Sequence, residues 1–535
     1  MEGKATRRLL KGEITYSAAQ DQEINILQRL AYPEQRTQFF ASLHQQQGWM
    51  QAIVAHHLGL SSVKACRIAD MKQWLHGSFN VCVPVTVTNP ARFRLAKGQT
   101  EKQFMLRLPL PYRVGESYCP GNGDEKVRCE SGTYAWLQQN APEIPIPELY
   151  GFALSTGETF TAIDYLPLWK RWTFKLRCRI LSWFGRALPS RYLRHQPSHG
   201  IAKAGHFDIG YVLIDYIQET TGRMLSATWE EQSSNDCLRT NLFRSLSRIL
   251  LSITHVKLPR IGSFVIDDDG YLQLANRPLS LELHELENEQ IPTDIPRDFT
   301  YSTVESYILD MLRAHDNRVI HQPNAITDLE DYIGQTAALA AMRVTMSSFF
   351  DPALRRGPFI LNFTDFNQSN IFVDEHWNIT CLLDLEWICS QPIEMVQLPL
   401  WFTNKAIDRM AKEPDEYDKM RQEFVDILAM EEEEFLSKSS QRKHANDDQL
   451  RLSTVLNRGW IRGTFWYSLA LGSPTGLFAI FYKQLQPRFL ERCPKHDEFL
   501  ATMPWYWRTD FIEVGMRKTK DKQDYDLRLR QAFEE

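Results

Sequence analysis

The sequence lacks the features that mark several classes of protein. Its nine cysteines are scattered, with no C-x-x-C pair to begin a zinc or thioredoxin-like site, so we expect a reducing compartment. No run approaches the roughly 20 apolar residues of a transmembrane helix, and the N-terminus has no apolar signal region. The formal net charge of -5 gives no global electrostatic reason to bind nucleic acid, and none is expected as a partner. We therefore predict a cytoplasmic or nuclear protein.

The composition is that of a folded chain. Hydrophobic residues make up 43% and aromatic residues 12% of the sequence, which disfavours extended disorder. A length of 535 residues suits two to four ordinary domains, or one two-lobed enzyme with insertions. There is no internal repeat, and the short acidic run at 431–434 is most simply a solvated helix face.

Apolar periodicity divides the chain into four parts. Residues 1–65 have helical spacing and form an N-terminal extension. Residues 66–217 contain short β-rich runs and one helical stretch at 126–139, with a basic, aromatic insertion at about 168–205. Residues 218–515 are mainly helical, with signals at 237–254, 302–314, 328–350 and 419–437, and residues 516–535 form a charged tail. The pattern predicts an α+β protein with a small β-rich lobe followed by a larger helical lobe.

One segment of the helical part has the residues for phosphoryl-transfer chemistry. Residues 370–373 and 379–383 are apolar and flank the turn-forming run DEHWN, so they should pair as a hairpin. Asp365 precedes this hairpin, Asn370 begins it and Asp384 follows it. A hairpin would bring these three oxygen-bearing side chains together. Such a set suits Mg²⁺, and leaves one carboxylate to orient a hydroxyl.

Each of these residues also has a simpler interpretation. Asp365 and Asn370 could cap turns and Asp384 could end a strand, as isolated Asp and Asn residues often do. The ordered series of Asp, four intervening residues, Asn, strand, turn, strand and Asp favours the functional interpretation.

The runs LNFTDFNQSNIFVD at 361–374 and CLLDLEW at 381–387 resemble the catalytic and metal-binding segments of a known family. This is the aminoglycoside phosphotransferase and choline kinase-like superfamily, in particular its divergent fungal branch. The resemblance implies a two-lobed protein-kinase-like fold that uses ATP and Mg²⁺ to phosphorylate a hydroxyl of a small molecule. It implies that Asp365 is catalytic and that Asn370 and Asp384 bind the metal. Phe363 departs from the pattern, which usually has a mainly architectural His at this position.

The β-rich part offers candidates for nucleotide binding. Gly77 and Ser78 stand in the run HGSFN where the resemblance places a turn over the phosphates, although an ordinary hairpin turn with Gly at positive φ is an alternative. Arg107, in QFMLRLPLP, stands where the superfamily usually has Lys, and its planar fork suits phosphate. Glu130, on the following helix, is its expected partner. Arg107 could instead be a surface residue on an edge strand.

The adenine-binding hinge has two candidates. The run GYVLIDYIQE ends a predicted strand and places Asp215, Tyr216 and Ile217 at the hinge. The run FTAIDYLP, with residues 164–166, is the competing hinge, and it would move the basic insertion into the helical lobe.

The insertion is basic and aromatic. Residues 168–194 contain eight Lys or Arg residues, no acidic residue, and interleaved Trp and Phe. The stretch suits a membrane-surface helix, an anionic-substrate clamp or an RNA-binding element. We favour the simpler interpretation of a docked helix with buried aromatics and solvated cations, and a peripheral membrane or anionic contact is the less favoured one.

The acceptor site should lie in the helical part, at roughly 394–489. Glu386 and Glu394 are candidate acids for meeting a cationic acceptor. The run WIRGTFWYSLALGSPTGLF suits either a packed helix or an apolar acceptor pocket, and we expect packing.

Three functional hypotheses follow. A small-molecule kinase is the leading one. A nucleotide-binding pseudokinase or scaffold is the second, because of Phe363, the single glycine and Arg107. A protein kinase that acts on a macromolecule is the third, and it is disfavoured because no A-P-E activation-loop signature follows Asp384.

Overall fold

The computed structural model describes residues 6–88, 100–195, 207–438, 450–489 and 495–534. Over these ranges the protein is a mixed α/β structure, as expected, with most of its strands before residue 216 and most of its helices after it. The end of the predicted insertion, residues 196–205, lies outside the described residues. Within them, no helix has both the length and the apolar composition needed to cross a membrane.

The N-terminal part is helical, with one short ribbon that the sequence pattern did not indicate. The ribbon pairs β1 with β2 in antiparallel register. Its elements and the helices that follow are β1 Thr6–Arg8, β2 Glu13–Thr15, α1 Tyr16–Gln20, α2 Ile26–Leu30, α3 Tyr32–Gln45 and α4 Gln47–His57.

An antiparallel sheet of eight strands follows. The strand order is β3-β5-β6-β10-β7-β8-β9, with β4 beside β5. A helix, α5 Asn122–Asn140, links β6 to β7 and corresponds to the helix predicted at 126–139. The strands are β3 Cys66–Ile68, β4 Leu75–His76, β5 Asn80–Thr88, β6 Glu101–Pro109, β7 Leu149–Ala153, β8 Thr159–Ala162, β9 Tyr192–Arg194 and β10 Tyr211–Asp215.

Both faces of this sheet are covered by helices. Side chains alternate along a strand, so Phe104, Leu106 and Leu108 of β6 share one face, where they pack in the same core cluster as Ile53 of α4. Met105 lies on the opposite face, in the cluster that contains residues of α5. Arg107 has the same parity as Met105. The alternation therefore directs this cation toward the α5 side of the sheet.

The rest of the chain is mainly helical. The side-chain oxygen of Asn235 accepts hydrogen bonds from the backbone N–H groups of Cys237 and Leu238 and so caps the helix that begins at Asp236. Asp328 caps the helix that begins at Leu329 in the same way, by accepting from the N–H of Asp331. The four helices predicted here are confirmed, although α10 is longer than predicted. These helices are α7 Trp229–Gln232, α8 Asp236–His255, α9 Leu281–Asn288, α10 Val304–His321, α11 Leu329–Phe349, α12 Ile407–Lys412, α13 Asp415–Lys438, α14 Leu452–Arg462, α15 Thr464–Leu471, α16 Leu477–Ile480, α17 His496–Thr502 and α18 Phe511–Glu534. Of the residues expected to form a charged tail, 516–534 belong to α18.

Short strands in this part hold the predicted catalytic segment. The predicted hairpin is confirmed as β15 paired with β16, and β15 also pairs with β11. A second pair, β14 with β17, flanks it. The strands are β11 Arg223–Met224, β12 Ser263–Ile266, β13 Leu272–Asn276, β14 Phe359–Phe363, β15 Ile371–Val373, β16 Ile379–Leu382 and β17 Ile388–Pro392. The two-lobed arrangement and the domain limits stay predictions.

The basic stretch forms a helix, α6 Leu168–Trp183, but its aromatic side chains are not buried as we expected. Trp169, Trp172, Trp183 and Phe184 are all exposed, and only Phe174 is half-buried. The expectation was wrong because an alternation of apolar and basic residues does not determine which side of a helix its own protein covers.

A buried ion cluster fixes α5 against the chain after the sheet. The Arg277 guanidinium donates to Glu125 of α5 at 2.8 Å and to Glu287 of α9 at 2.6 Å. All three side chains are almost completely buried. Burial opposes ionisation of Glu287, but hydrogen bonds and the charge of Arg277 outweigh it and lower the pKa of this carboxyl. The cluster therefore holds three charges in the interior by mutual pairing.

The Arg277→Met variant should lose about 3–5 kcal/mol in the free energy of unfolding, because two buried carboxylates lose their shared cation. Urea denaturation at pH 7 measures this change. The control is Arg313→Met, which removes an arginine that is 63% exposed and lies 3.3 Å from Asp294. That surface pair should contribute at most about 1 kcal/mol. Equal losses in the two variants would contradict a stabilising role for the buried cluster.

Candidate active site

Asp365 lies in the loop between β14 and β15, and its side chain is half-buried. Burial, together with the negative charges of Glu386, Asp384 and Glu285, raises the pKa of Asp365 to about 7. A carboxyl with this pKa changes between acid and carboxylate near neutral pH. Such tuning is typical of a general base.

Asn370 and Asp384 lie at the same end of the hairpin. The register pairs Ile371 with Leu382, and the N–H of Leu383 donates to the carbonyl oxygen of Asn370 at 2.8 Å. Asn370 is buried, and Asp384 adopts a left-handed conformation with φ of 54°, which is uncommon outside glycine. The structure therefore brings both predicted metal ligands to the end of the hairpin that adjoins the Asp365 loop.

Arg107 joins the sheet to this segment. Its guanidinium donates to Glu130 at 2.8 Å and to Glu386 at 3.0 Å, and it also donates to Asp384. Arg107 and Glu130 are buried, so Arg107 is not a surface residue of an edge strand. The expected pair with Glu130 is present. The contact with Asp384 is an additional one that the sequence did not predict.

Two more polar residues complete this cluster, and sequence reasoning missed both. Lys126 is fully buried, and its ammonium donates to Glu386 at 2.8 Å and to the side-chain oxygen of Asn80 at 2.6 Å. The side-chain amide of Asn80 donates to Glu386 at 2.7 Å. Glu386 thus accepts from three residues that belong to β5, β6 and α5.

The charges of the cluster explain its protonation. Burial by itself disfavours the ionised form of Glu386, but Lys126 and Arg107 outweigh burial and lower the pKa of this carboxyl. Burial also disfavours charge on Arg107, yet its carboxylate neighbours, chiefly Glu130, raise the pKa of the guanidinium. Glu386 and Arg107 are therefore both ionised at neutral pH. Over the described residues, no group of three or more His, Cys, Asp or Glu side chains is placed to hold a metal ion.

The turn with Gly77 and Ser78 connects β4 to β5. Gly77 does not have positive φ, in contrast to the ordinary-turn alternative, and a Cβ placed on it would meet no atom within 4 Å. Phe79, the next residue, is buried and packs edge-on against Trp387 with ring centroids 5.2 Å apart. The turn therefore contacts the segment that follows Asp384 through its phenylalanine.

Asp215, Tyr216 and Ile217 lie at the end of β10. The register places Val212 opposite Arg107, so Asp215 lies three residues farther along, or about 10 Å. The Asp215 carboxylate is 2.9 Å from the Lys102 ammonium and accepts from the Tyr150 hydroxyl. Both contacts use the same carboxylate oxygen, and the backbone N–H of Asp215 donates to the carbonyl oxygen of Glu148 at 3.0 Å. Of the competing hinge residues 164–166, the first two belong to the 3₁₀ turn Ile163–Tyr165, which leads toward α6.

A cavity borders the end of β14 beside Asp365. Glu282 of α9 lines it, and burial is the main cause that raises the pKa of Glu282 to about 7. The expected packing of α15 is confirmed, because all its residues are buried, and the end of this helix forms part of the cavity wall. Other residues of the wall include Tyr307, Asn362, Phe363, Thr364, Gln391 and Ser468.

The two acids predicted to meet an acceptor lie elsewhere. Glu386 belongs to the buried cluster, and Glu394 accepts the N–H of Asp351 at 3.1 Å. Neither is part of the cavity wall, whereas Glu282 is. The sequence around Glu282, LELHELEN, looks like an acidic surface helix, so no local signal distinguishes it. Lys126 had one usable signal, because it lies one helical turn before Glu130.

Comparisons with known proteins give little further guidance. No protein-family model matches the sequence, and no curated protein sequence matches it. Among solved structures, the chain is similar to an ethanolamine kinase from Plasmodium vivax, with 11% sequence identity over 86% of this chain and 83% of that chain. The TM-score of this superposition is 0.34, which is too low to support a conclusion about fold or activity. The function must therefore be inferred from the geometry of the site.

Proposed function

We propose that this protein is an ATP- and Mg²⁺-dependent phosphotransferase that transfers the γ-phosphate of ATP to a hydroxyl of a small molecule. One observation carries the proposal. The hairpin and its flanking loops bring Asp365, Asn370 and Asp384 to one end, where Arg107 of β6, paired with Glu130 of α5, contacts Asp384. A general base, two oxygen ligands and a phosphate-binding cation are the parts that phosphoryl transfer requires.

The residues present fit Mg²⁺ and a nucleotide. The side-chain oxygens of Asn370 and Asp384 are hard ligands that Mg²⁺ prefers, and Mg²⁺ commonly takes its other ligands from phosphates and water. The Nε atom of Arg107 is buried and has no hydrogen-bond partner over the described residues, so it would donate to a phosphate oxygen only after the groups around it move. Backbone groups of Tyr216 and Ile217, after β10, would face the adenine.

The roles of the protein groups follow from their surroundings. When bound, Mg²⁺-ATP supplies the phosphoryl group and a divalent charge. Asp365 orients the acceptor hydroxyl and takes its proton at a carboxylate oxygen. Asn370 and Asp384 would hold the metal, and Arg107 would neutralise charge on the phosphate. The cavity lined by Glu282 and the end of α15 adjoins Asp365, and we assign the acceptor to it.

A nucleotide-binding pseudokinase is the second candidate, and one contact favours it. Arg107 donates to the Asp384 carboxylate, which is the group proposed to hold the metal. If this pair persists with nucleotide bound, Mg²⁺ has one protein ligand fewer. ATP binding that is independent of Mg²⁺, without transfer to any hydroxyl compound in a metabolite panel, would favour this candidate over the enzyme.

The Asp365→Asn variant should bind ATP as the wild type does, but its kcat should fall by about 10²- to 10⁴-fold, since the amide cannot accept the hydroxyl proton. The Asp384→Asn variant should also lose activity, and its ATP binding should no longer depend on Mg²⁺. Turnover on the metabolite panel and calorimetric titration of ATP with and without Mg²⁺ measure both effects.

The matched control for these variants is Glu375→Gln. It removes a carboxylate from the same hairpin, but this side chain is 87% exposed and lies in the turn rather than at the Asp365 end. Its kcat should equal that of the wild type. An Asp365→Asn variant with unchanged kcat would rule out the proposed role of Asp365.

The activity should depend on the ionisation of Asp365. Its pKa is raised to about 7, and only the carboxylate accepts a proton. Below pH 7, log(kcat/KM) should therefore fall by about one for each pH unit, and above pH 7 it should level off. Initial rates between pH 5 and 9 in buffers of constant ionic strength measure the profile. The residual activity of Asp365→Asn should not show this fall below pH 7. A wild-type profile that begins to fall only below pH 5 would contradict the assignment.

A further inference from the structure

The helix α6 has two apolar faces, and the protein covers only one. At 100° per residue, Trp169, Trp172, Leu176, Ile180 and Trp183 lie within one sector of the helix surface. All five are exposed, and the exposed fractions of Trp172 and Trp183 are 73% and 85%. We call these five residues the outer strip. Over about 21 Å the helix therefore presents a continuous apolar surface to solvent.

The opposite face attaches the helix to the protein. Phe174, Cys178 and Leu181 are half-buried and lie about 180° from the outer strip. Arg177 donates to the Tyr271 hydroxyl at 3.1 Å, and its guanidinium lies 5.4 Å from the centroid of that ring. The outward orientation of the outer strip is therefore fixed by contacts on the inner side.

Cations flank the outer strip. Lys175 and Arg179 lie along one edge of it, and Arg177 lies along the other. No carboxylate of the described residues is within ion-pairing distance of Lys175, Arg179 or Arg186, so these charges are available to an external anion. No acidic residue occurs anywhere from 168 to 194. The surface is complementary to something that is both apolar and negatively charged.

We propose that α6 is a membrane-surface helix that binds a bilayer containing anionic phospholipid. The outer strip enters the boundary between headgroups and acyl chains, and the flanking cations meet the phosphates. Tryptophans at both ends of the strip suit this depth, because an amphipathic indole favours the interface. The proposal does not depend on the phosphotransferase activity.

Two other occupants fit the surface less well. A second copy of the chain, docked strip to strip, would bring two sets of unpaired cations together and repel. A single-stranded nucleic acid stacks its bases on aromatic rings, but the middle of the strip is formed by Leu176 and Ile180, which cannot stack. A lipid surface uses aliphatic and aromatic side chains equally.

Co-sedimentation of the full chain with vesicles tests the proposal. The vesicles are phosphatidylcholine alone or phosphatidylcholine with 30% phosphatidylserine. The wild type should bind the anionic vesicles about tenfold or more tightly than the neutral ones, and higher salt should weaken this binding. The double variants Trp172→Ala with Ile180→Ala, and Lys175→Glu with Arg179→Glu, should each lower the affinity for anionic vesicles about tenfold or more.

The control variant combines Tyr506→Ala with Ile461→Ala, which removes two exposed apolar side chains, 75% and 76% exposed, away from α6. It should bind vesicles as the wild type does, and circular dichroism should show that all variants keep the fold. Absence of binding to anionic vesicles, or equal binding by all variants, would overturn the proposal. The proposal would also be overturned if the chain formed dimers or bound RNA without lipid, and if Trp172→Ala with Ile180→Ala abolished that association but left vesicle binding intact.

Discussion

The buried carboxylate of Glu386 ties the candidate site together, because it accepts hydrogen bonds from Arg107, Lys126 and Asn80. These donors come from two strands of the sheet and from α5, while Glu386 belongs to the segment after β16. A buried charge without partners is strongly destabilising, so the four groups must assemble together or not at all. This polar cluster thus joins the sheet, α5 and the segment after the hairpin.

The charge balance of this cluster favours the binding of a further cation. Two cations, Arg107 and Lys126, face three carboxylates, those of Glu130, Asp384 and Glu386. With all five groups ionised, one negative charge is left over, and burial is the main cause that raises the pKa of both Glu130 and Asp384. Of the three carboxylates, only that of Asp384 is substantially exposed, and burial, together with the negative charges of Glu386 and Asp384, raises the pKa of Asp365. A divalent cation at Asp384 would more than offset this excess.

The sequence predicted the parts of the site that depend on local pattern. Two apolar stretches on either side of the turn-forming run DEHWN predicted the hairpin, and the positions of Asp365, Asn370 and Asp384 around it predicted their meeting. Lys126 and Asn80 were missed because their partner, Glu386, lies 260 and 306 residues away, and no local pattern records such a distance. The prediction that the aromatic side chains of α6 are buried was wrong for a related reason. The sequence of a helix with two apolar faces does not show which face the fold covers.

Phe79 and Asn80 connect the turn with Gly77 and Ser78 to the same cluster. Phe79, in the turn, packs on Trp387, and Asn80, the first residue of β5, donates to Glu386. Two adjacent residues on one side therefore contact two adjacent residues of the segment after Asp384. A group that enters between the turn and Asp384 must loosen these contacts or pass beside them. Movement of the turn would then change the contacts of Glu386, and through Glu386 those of Arg107. The contact of Arg107 with Asp384 would compete with a metal ion for the Asp384 carboxylate. Under the proposed function, nucleotide entry would therefore be coupled to the release of Asp384 from Arg107 through the buried carboxylate of Glu386.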